Sequence, residues 1–261
     1  MTATLMPLLR SEWIKIRSIR TTVWTVALTL VLSAGLAFLF GSSFRAGFDE
    51  MDAQRRATFD PLFATFYSLT IGQLALVVLA VFVVTGEFST GTIRTSLVAV
   101  PSRGAFFSGK VLAGALLAAA VALVTVPLTF VAAQAGLGPH GTTFSAHGTA
   151  QAALGACLYL TLMYLFATGV ATLLRGSIPT LAVLLPLLFL GSQGLGNVPK
   201  VKVVAQYLPD QAGMVIMHIV GQAGDPRFAR PYGPWTGLGI MALWAAAALI
   251  AGYIAFRRRD V

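Results

Sequence analysis

The chain has 261 residues, of which 57% are hydrophobic and only 10% are charged. This composition leaves too little polar surface for a water-soluble globule, so it excludes a soluble domain and indicates an integral membrane protein. The net charge of +9 raises the question of nucleic acid, but anionic lipid headgroups account for it, and no basic domain lies outside the apolar stretches. We therefore expect membrane lipid and no nucleic acid among its partners.

The first predicted element is an amphipathic helix over residues 4–20. Four apolar residues recur there at helical spacing: Leu5, Leu9, Trp13 and Ile16. The basic residues lie largely off this stripe: Arg10, Lys15, Arg17 and Arg20. Such a helix lies along the membrane surface, so Trp13, Lys15, Arg17 and Arg20 are its expected interfacial residues. A signal peptide is the alternative, but the apolar run that follows is too long and has no clear cleavage pattern.

Six stretches without Asp, Glu, Lys or Arg predict six transmembrane helices. They lie at about residues 23–40, 66–85, 111–133, 152–174, 176–192 and 235–256. A helix needs about 20 apolar residues to cross the hydrocarbon core, and the fifth stretch needs its flanks to do so. The stretches do not alternate with a period of two, which argues against barrel strands. The predicted fold class is all-α, with residues 1–261 forming one transmembrane domain.

The loop charges predict the orientation. With a cytoplasmic N-terminus, the inner side holds 11 basic and three acidic residues, and the outer side holds seven basic and six acidic ones. Nearly all of the positive excess then lies on one side, as the positive-inside rule requires. We expect a multi-pass protein of the plasma membrane with both termini in the cytoplasm.

The inner loop over residues 86–110 carries the most information. It holds a carboxylate, hydroxyl side chains and two arginines, Arg94 and Arg103. Glu87 adds nothing to the positive-inside bias, so we expect it to cap a helix or to meet a base of a partner. A short charged helix here would be a docking surface, and an ordinary solvated loop is the alternative. Residues 104–110 resemble a phosphate-binding loop, but Val111 replaces the hydroxyl that would hold magnesium, so we expect no ATP bound by this chain.

The outer regions give weaker signals. Residues 200–221 have a helical pattern bounded by glycines and prolines. Pro179 and Pro186 in the fifth span predict an interrupted helix, which either lines a pathway or only shapes packing. The three histidines have no neighbouring Cys or carboxylate in the sequence, so no metal site is expected and His218 is treated as isolated.

Three segments resemble the bacterial type-2 export permeases of ATP-binding-cassette (ABC) transporters. They are Ser11–Arg20 before the first span, Glu87–Arg94 after the second, and Tyr207-Leu208-Pro209 with Gly213 before the last. The resemblance implies half of an export pathway, completed by a second permease copy or a paralogue and driven by two cytoplasmic ATPase subunits. ATP and Mg would be used by those subunits, with no cofactor on this chain. It also implies a coupling helix within residues 87–103, with five ATPase-coupling residues: Glu87, Phe88, Thr92, Arg94 and Arg103.

The charge-free spans bear on mechanism independently. Carriers driven by protons or sodium usually place an ionisable residue within the membrane. The predicted spans hold none, so the energy is expected from a docked ATPase, and the apolar pathway favours amphiphilic cargo. A non-transporting assembly or sensor subunit is the main alternative. A membrane-embedded enzyme is the weaker one, because no catalytic residues are recognisable and the GxSxG and HExxH motifs are absent.

Overall fold

A computed structural model describes residues 10–15, 20–100, 102–192, 197–198, 200–219 and 229–258. Within these residues the chain is helical apart from turns and connections, and no strand is present. The predicted all-α class is therefore confirmed. Residues 10–15 are helical and precede eleven labelled helices.

In chain order, the helices are α1 (Arg20–Ala46), α2 (Ala53–Ala57), α3 (Pro61–Phe66), α4 (Leu69–Ser89), α5 (Thr92–Ala99), α6 (Arg103–Leu137), α7 (Thr149–Leu174), α8 (Ser177–Ser192), α9 (Lys202–Ala205), α10 (Pro209–Met214) and α11 (Pro234–Arg258). Two short 3-10 turns, Gly138–His140 and Val215–Met217, follow α6 and α10.

In the described part of the chain, five helical segments are long and apolar enough to cross a membrane. They are α1, α3 together with α4, α6 with its 3-10 turn, α7, and α11. The fifth predicted span corresponds to α8, which has 16 residues. At 1.5 Å per residue it is about 24 Å long, less than a hydrocarbon core of about 30 Å. A sixth crossing through α8 therefore stays a prediction.

The predicted interruption of this helix is wrong between residues 177 and 192. The α8 helix continues through Pro186, and Pro179 lies in its first turn. A proline in the first turn removes no helical hydrogen bond, and Pro186 removes only one, so the remaining bonds hold the helix together. The glycines that follow α8 in the sequence, Gly194 and Gly196, lie outside the described residues.

The α4 and α7 helices form the centre of the bundle. In the α3–α4 segment 72% of the most apolar window is buried within the chain, compared with 22% for α1 and for α11. The α7 helix packs against α4, α6 and α11, while α1 packs against α4 and α6. The outer faces of α1 and α11 are thus left for lipid or for another subunit.

Glycines allow the peripheral helices to approach closely. A Cβ on Gly41 of α1 would lie 2.7 Å from the Ala133 carbonyl oxygen of α6. One on Gly169 of α7 would lie 2.4 Å from the Ala248 carbonyl carbon of α11. Small residues at such crossings let backbones pack in membrane proteins, where the hydrophobic effect does not drive helices together.

The inner loop predicted over residues 86–110 is mostly helical. The α4 helix runs on to Ser89, a turn at Gly91 with φ of 70° reverses the chain, and α5 follows before α6 begins at Arg103. Glycine is suited to this turn because a positive φ strains residues that carry a Cβ. The turn places α5 beside the inner ends of the spans.

Candidate functional site

Four charged side chains meet at the end of the bundle that the sequence places in the cytoplasm. We call them the charge cluster: Glu12, Lys15, Glu87 and Lys110. Lys15 Nζ lies 2.8 Å from Glu12 Oε1 and 2.9 Å from Glu87 Oε1. Lys110 Nζ lies 3.0 Å from Glu12 Oε2 and 3.0 Å from Glu87 Oε2. Each carboxylate bridges both ammonium groups, so the cluster is a closed ring with no net charge.

Three separate parts of the chain supply this ring. Glu12 and Lys15 come from residues 10–15 and are three positions apart, which places both on one helical face. Glu87 lies in the last turn of α4, and Lys110 lies in the second turn of α6. The cluster therefore fastens the N-terminal segment to the inner ends of α4 and α6.

The charges are removed from solvent. The side chains of Glu12, Lys110 and Glu87 are 4%, 7% and 11% exposed, whereas that of Lys15 is 37% exposed. The Phe106 ring lies beneath both ammonium groups, with its centroid 5.8 Å from Lys15 Nζ and 5.5 Å from Lys110 Nζ. A desolvated cation gains from an aromatic face, so the ring adds to the ion pairs.

The protonation of the cluster is set by competition between burial and charge. Burial on its own would raise the pKa of Glu12, but Lys110 and Lys15 together hold it below its usual range. Burial on its own would lower the pKa of Lys15, but its hydrogen bonds to Glu12 and Glu87 hold it above its usual range. Both groups are therefore charged at neutral pH.

The α5 helix is attached to this cluster on one side. Lys15 Nζ donates a hydrogen bond of 3.3 Å to Ser96 Oγ. Ile93, which is 3% exposed, packs with Phe106 and Phe256 in a small apolar core that also takes in Leu97. The polar and apolar contacts together fix α5 against the start of α6 and the end of α11.

The opposite side of α5 faces outward. Thr92, Arg94, Thr95 and Val98 are all exposed, and Val98 is 83% exposed. An exposed valine beside an arginine on a helix that is otherwise fixed offers both apolar and charged contact to a partner. Sequence reasoning missed Val98, although its three- to four-residue spacing from Arg94 and Thr95 is visible in the sequence.

The structure brings only some of the predicted coupling residues to this outward face. Thr92 and Arg94 lie on it, but Glu87 is buried and pairs with bases of its own chain, where a partner's base or a capping role was expected. Phe88 is partly buried, with the Arg175 guanidinium 5.4 Å from its ring centroid. Arg103 Nη1 donates to the Phe256 and Arg257 carbonyl oxygens at 3.1 and 2.9 Å, which ties α6 to the C-terminus of α11.

The residues predicted to lie at the membrane surface are found in different surroundings. Trp13 is 41% exposed, as a membrane-surface residue would be, while Lys15 belongs to the charge cluster. Arg20 is exposed at the start of α1, and Arg17 lies outside the described residues. Glu12, which the sequence did not single out, is the most deeply buried member of the cluster.

A second buried polar group lies near the other end of the bundle. Asp210 of α10 is fully buried, and its Oδ2 accepts a 3.0 Å hydrogen bond from Gln211 Nε2. The same amide nitrogen donates to the Gly191 carbonyl oxygen of α8 at 2.8 Å, while Asp210 Oδ1 has no hydrogen-bond partner among the described residues. Burial raises the pKa of Asp210 to about 6. The segment between α8 and α11 thus carries a buried carboxyl, which the sequence pattern did not reveal.

His218 is not isolated, as the sequence suggested. Its Nδ1 lies 2.8 Å from Asp60 Oδ2, and the other Asp60 oxygen accepts from the Leu62 amide at the start of α3. Burial on its own would raise the pKa of Asp60, but the hydrogen bond and charge of His218, together with the backbone amides of Leu62 and Phe63, hold it below its usual range. This contact fastens the end of the outer segment to α3. In the described part of the chain, no three His, Cys, Asp or Glu side chains gather as metal ligands.

Comparison with known proteins adds one finding. Residues 8–191 match the family model described as ABC-2 family transporter protein. This match spans the charge cluster, α5 and the helices from α1 to α8. No curated protein matches the chain.

Proposed function

This chain belongs to the ABC-2 transporter family, and we propose that it is the permease subunit of an ATP-driven exporter, coupled through α5 to separate cytoplasmic ATPase subunits. The single observation that supports this most strongly is the attachment of α5. One of its sides is fixed by the charge cluster and the Ile93 core, while the other exposes Arg94 and Val98. A helix held on one side and exposed on the other can pass the movement of a bound partner on to the helices to which it is fixed.

The contacts on the fixed side of α5 determine which other helices would move when a partner displaces α5. Lys15 contacts α5 through Ser96 and α4 through Glu87, and Lys110 carries the same network into α6. Buried ion pairs are costly to separate, because each partner would be left uncompensated. Movement of α5 would therefore shift the inner ends of α4 and α6 together, which is what alternation between two membrane conformations requires.

The remaining parts of the proposal concern the assembly. A second permease copy or a paralogue would complete the pathway, and the exposed faces of α1 and α8 are available for lipid or for that partner. ATP and Mg would be bound and used by the ATPase subunits. The N- and C-termini would lie in the cytoplasm, on the same side as α5. The apolar spans suit an amphiphilic cargo.

Copurification tests the proposed coupling directly. Full-length tagged protein is solubilised and examined for an associated ATPase, and the hydrolysis rate of the complex is measured after reconstitution. Arg94→Glu and Val98→Asp change only exposed side chains of α5, so we expect normal membrane expression but loss of the associated ATPase. Arg55→Glu, which changes an exposed residue at the other end of the bundle, is the matched control.

The outcomes separate coupling from a purely structural role. Loss of the ATPase in both α5 variants, with retention in Arg55→Glu, supports docking on α5. Unchanged ATPase association in both α5 variants, or the absence of any ATPase from the wild-type preparation, would contradict the proposal.

A further inference from the structure

A groove lies between the start of α6 and the end of α11, at the predicted cytoplasmic end. Its volume is about 320 Å³. It is lined by Gly104, Phe107, Ser108, Leu249, Ile250 and Tyr253. The groove is separate from the charge cluster and from the outward face of α5, so the proposed coupling leaves it unused.

Two small residues on one face of α6 leave this space open. Gly104 and Ser108 are four positions apart, so they lie above each other on the helix surface. A Cβ on Gly104 would already come within 3.1 Å of the Tyr253 hydroxyl oxygen. The Phe107 and Tyr253 rings, which also line the groove, lie 5.5 Å apart between centroids.

Exposed aliphatic side chains lie on both helices that border the groove. Ile250 is 59% exposed and Ile254 is 43% exposed on α11, and Leu112 is 42% exposed on α6. In a chain whose helices cross the membrane, exposed aliphatic residues on peripheral helices meet lipid tails. The groove is thus continuous with the surface that contacts acyl chains.

The polar end of the groove is positively charged. The Arg257 guanidinium lies 5.8 Å from the centroid of the Tyr253 ring, and Arg258 is exposed beside it. Among the described residues, no carboxylate lies within 4.0 Å of either arginine. The nearby acids Glu12 and Glu87 are already neutralised by lysines. Basic residues at the cytoplasmic edge of an intramembrane groove are suited to acidic lipid headgroups.

We propose that this groove binds one anionic phospholipid, with an acyl chain between α6 and α11 and the phosphate held by Arg257 and Arg258. A peptide partner fits less well, because the groove opens along the helices toward the lipid-facing surface. A bound lipid would also bridge α6 and α11, which the structure joins at this end through the contacts of Arg103 and the aromatic rings.

Native mass spectrometry of the full chain, with any subunit that copurifies, tests this site. The protein is titrated with phosphatidylglycerol and with phosphatidylcholine of the same acyl chains. We expect one phosphatidylglycerol to be retained preferentially. Each arginine near the headgroup contributes about a fivefold change in affinity, so Arg257→Gln with Arg258→Gln should weaken phosphatidylglycerol binding about 25-fold.

A second variant tests the groove without altering charge. Ser108→Phe places a ring in the space for the acyl chain and should abolish the retained lipid. Ser145→Phe, on the exposed loop at the other end, is its control, and Arg55→Gln with Arg56→Gln is the control for charge. Equal binding of the two lipids, or unchanged phosphatidylglycerol binding in either the double arginine variant or Ser108→Phe, would overturn the proposal.

Discussion

Replacing Lys110 with Met tests whether the charge cluster holds the inner end of the bundle together. The substitution keeps most of the side-chain volume but removes the ammonium that contacts Glu12 and Glu87, each at 3.0 Å. Lys15 then faces two carboxylates, and the buried site carries a net charge of −1. Removing one partner of a buried ion pair costs about 3–5 kcal/mol, because the remaining charge is uncompensated. For a chain of this size, that loss lowers Tm by roughly 10 °C.

A double-mutant cycle distinguishes this electrostatic cost from a general packing defect. Glu12→Gln combined with Lys110→Met leaves Lys15 opposite Glu87 and restores neutrality. We expect the double variant to be more stable than Lys110→Met alone, with a coupling energy of about 2 kcal/mol. Unfolding in detergent at pH 7, followed by tryptophan fluorescence, measures each variant. Additive losses, or a loss below about 1 kcal/mol for Lys110→Met, would refute the reasoning.

The exposed ion pair between Arg55 and Asp52 supplies the matched control. Its atoms are 3.5 Å apart and the two side chains are 67% and 63% exposed. Arg55→Gln should change the free energy of unfolding by less than about 1 kcal/mol, because solvent screens exposed pairs.

The charge cluster also makes the stability of the chain depend on pH. In the folded state the pKa of Glu12 is lowered from 4.5. The stability that the ionised Glu12 contributes is therefore fully present above pH 4.5 and is lost as the pH falls through the lowered pKa.

Three further predictions concern the rest of the bundle. The pKa of buried Asp210 is raised from 3.8 to about 6, so the folded chain holds this proton more tightly than the unfolded chain, and stability falls by about 2 kcal/mol as the pH rises from 4 to 6. Asp210→Asn should flatten this slope in unfolding measured across that range, and an unchanged slope would contradict it. His218→Gln should cost about 1 kcal/mol or less in the same assay, because His218 and Asp60 are 39% and 40% exposed. Gly169→Ala should lower Tm by several degrees, because the new Cβ would lie 2.4 Å from the α11 backbone. Gly35→Ala is the control and should be neutral or stabilising, because no atom lies within 4 Å of its new Cβ. Equal Tm values for the two variants would be inconsistent with this packing.

Hydropathy alone located the long helices, because the backbone hydrogen bonds that a membrane helix needs are formed within the helix itself. A helix in lipid satisfies its own backbone, so a charge-free run of sufficient length is enough to indicate it. The 16-residue α8 shows where this criterion weakens, since its length alone falls short of a crossing. Pro186 shows a second weakness, because the hydrogen bond that a proline removes did not end the helix.

The charge cluster could not be derived in the same way, because its partners are distant in the chain. Lys15 and Glu87 are 72 positions apart, and Glu12 and Lys110 are 98 apart. The sequence did, however, contain one indication of the charge cluster. Glu12 and Glu87 are two of only three acids on the side that the loop charges predict to be cytoplasmic and that otherwise accumulates positive charge. Acids that oppose the positive-inside bias need partners, and lysines at the span edges are the natural ones.

Asp210 was missed for a different reason. The segment between α8 and α11 shows a helical pattern bounded by glycines and prolines, but this pattern does not reveal that α10 is buried throughout. Burial of a short helix depends on which helices surround it, and that information is not present in a local pattern. In the structure, the glycine at position 191 leaves room for this group, because a Cβ there would collide with the Asp210 carboxylate.

The positions of the charges suggest how the bundle moves without losing its polar contacts. The ion pairs lie at one end and neutralise one another, so the inner ends of α4 and α6 can shift with residues 10–15 as a unit while all four contacts persist. Beyond this unit, α4 and α6 contact α1 and α7 mainly through apolar and small residues, with a buried hydrogen bond from the Tyr159 hydroxyl of α7 to Gln73 Oε1 of α4. Asp210 and Gln211 hold α10 against α8 near the other end. A force applied to α5 would therefore reach the ends of α4 and α6 through the ion pairs of the charge cluster, which are costly to separate.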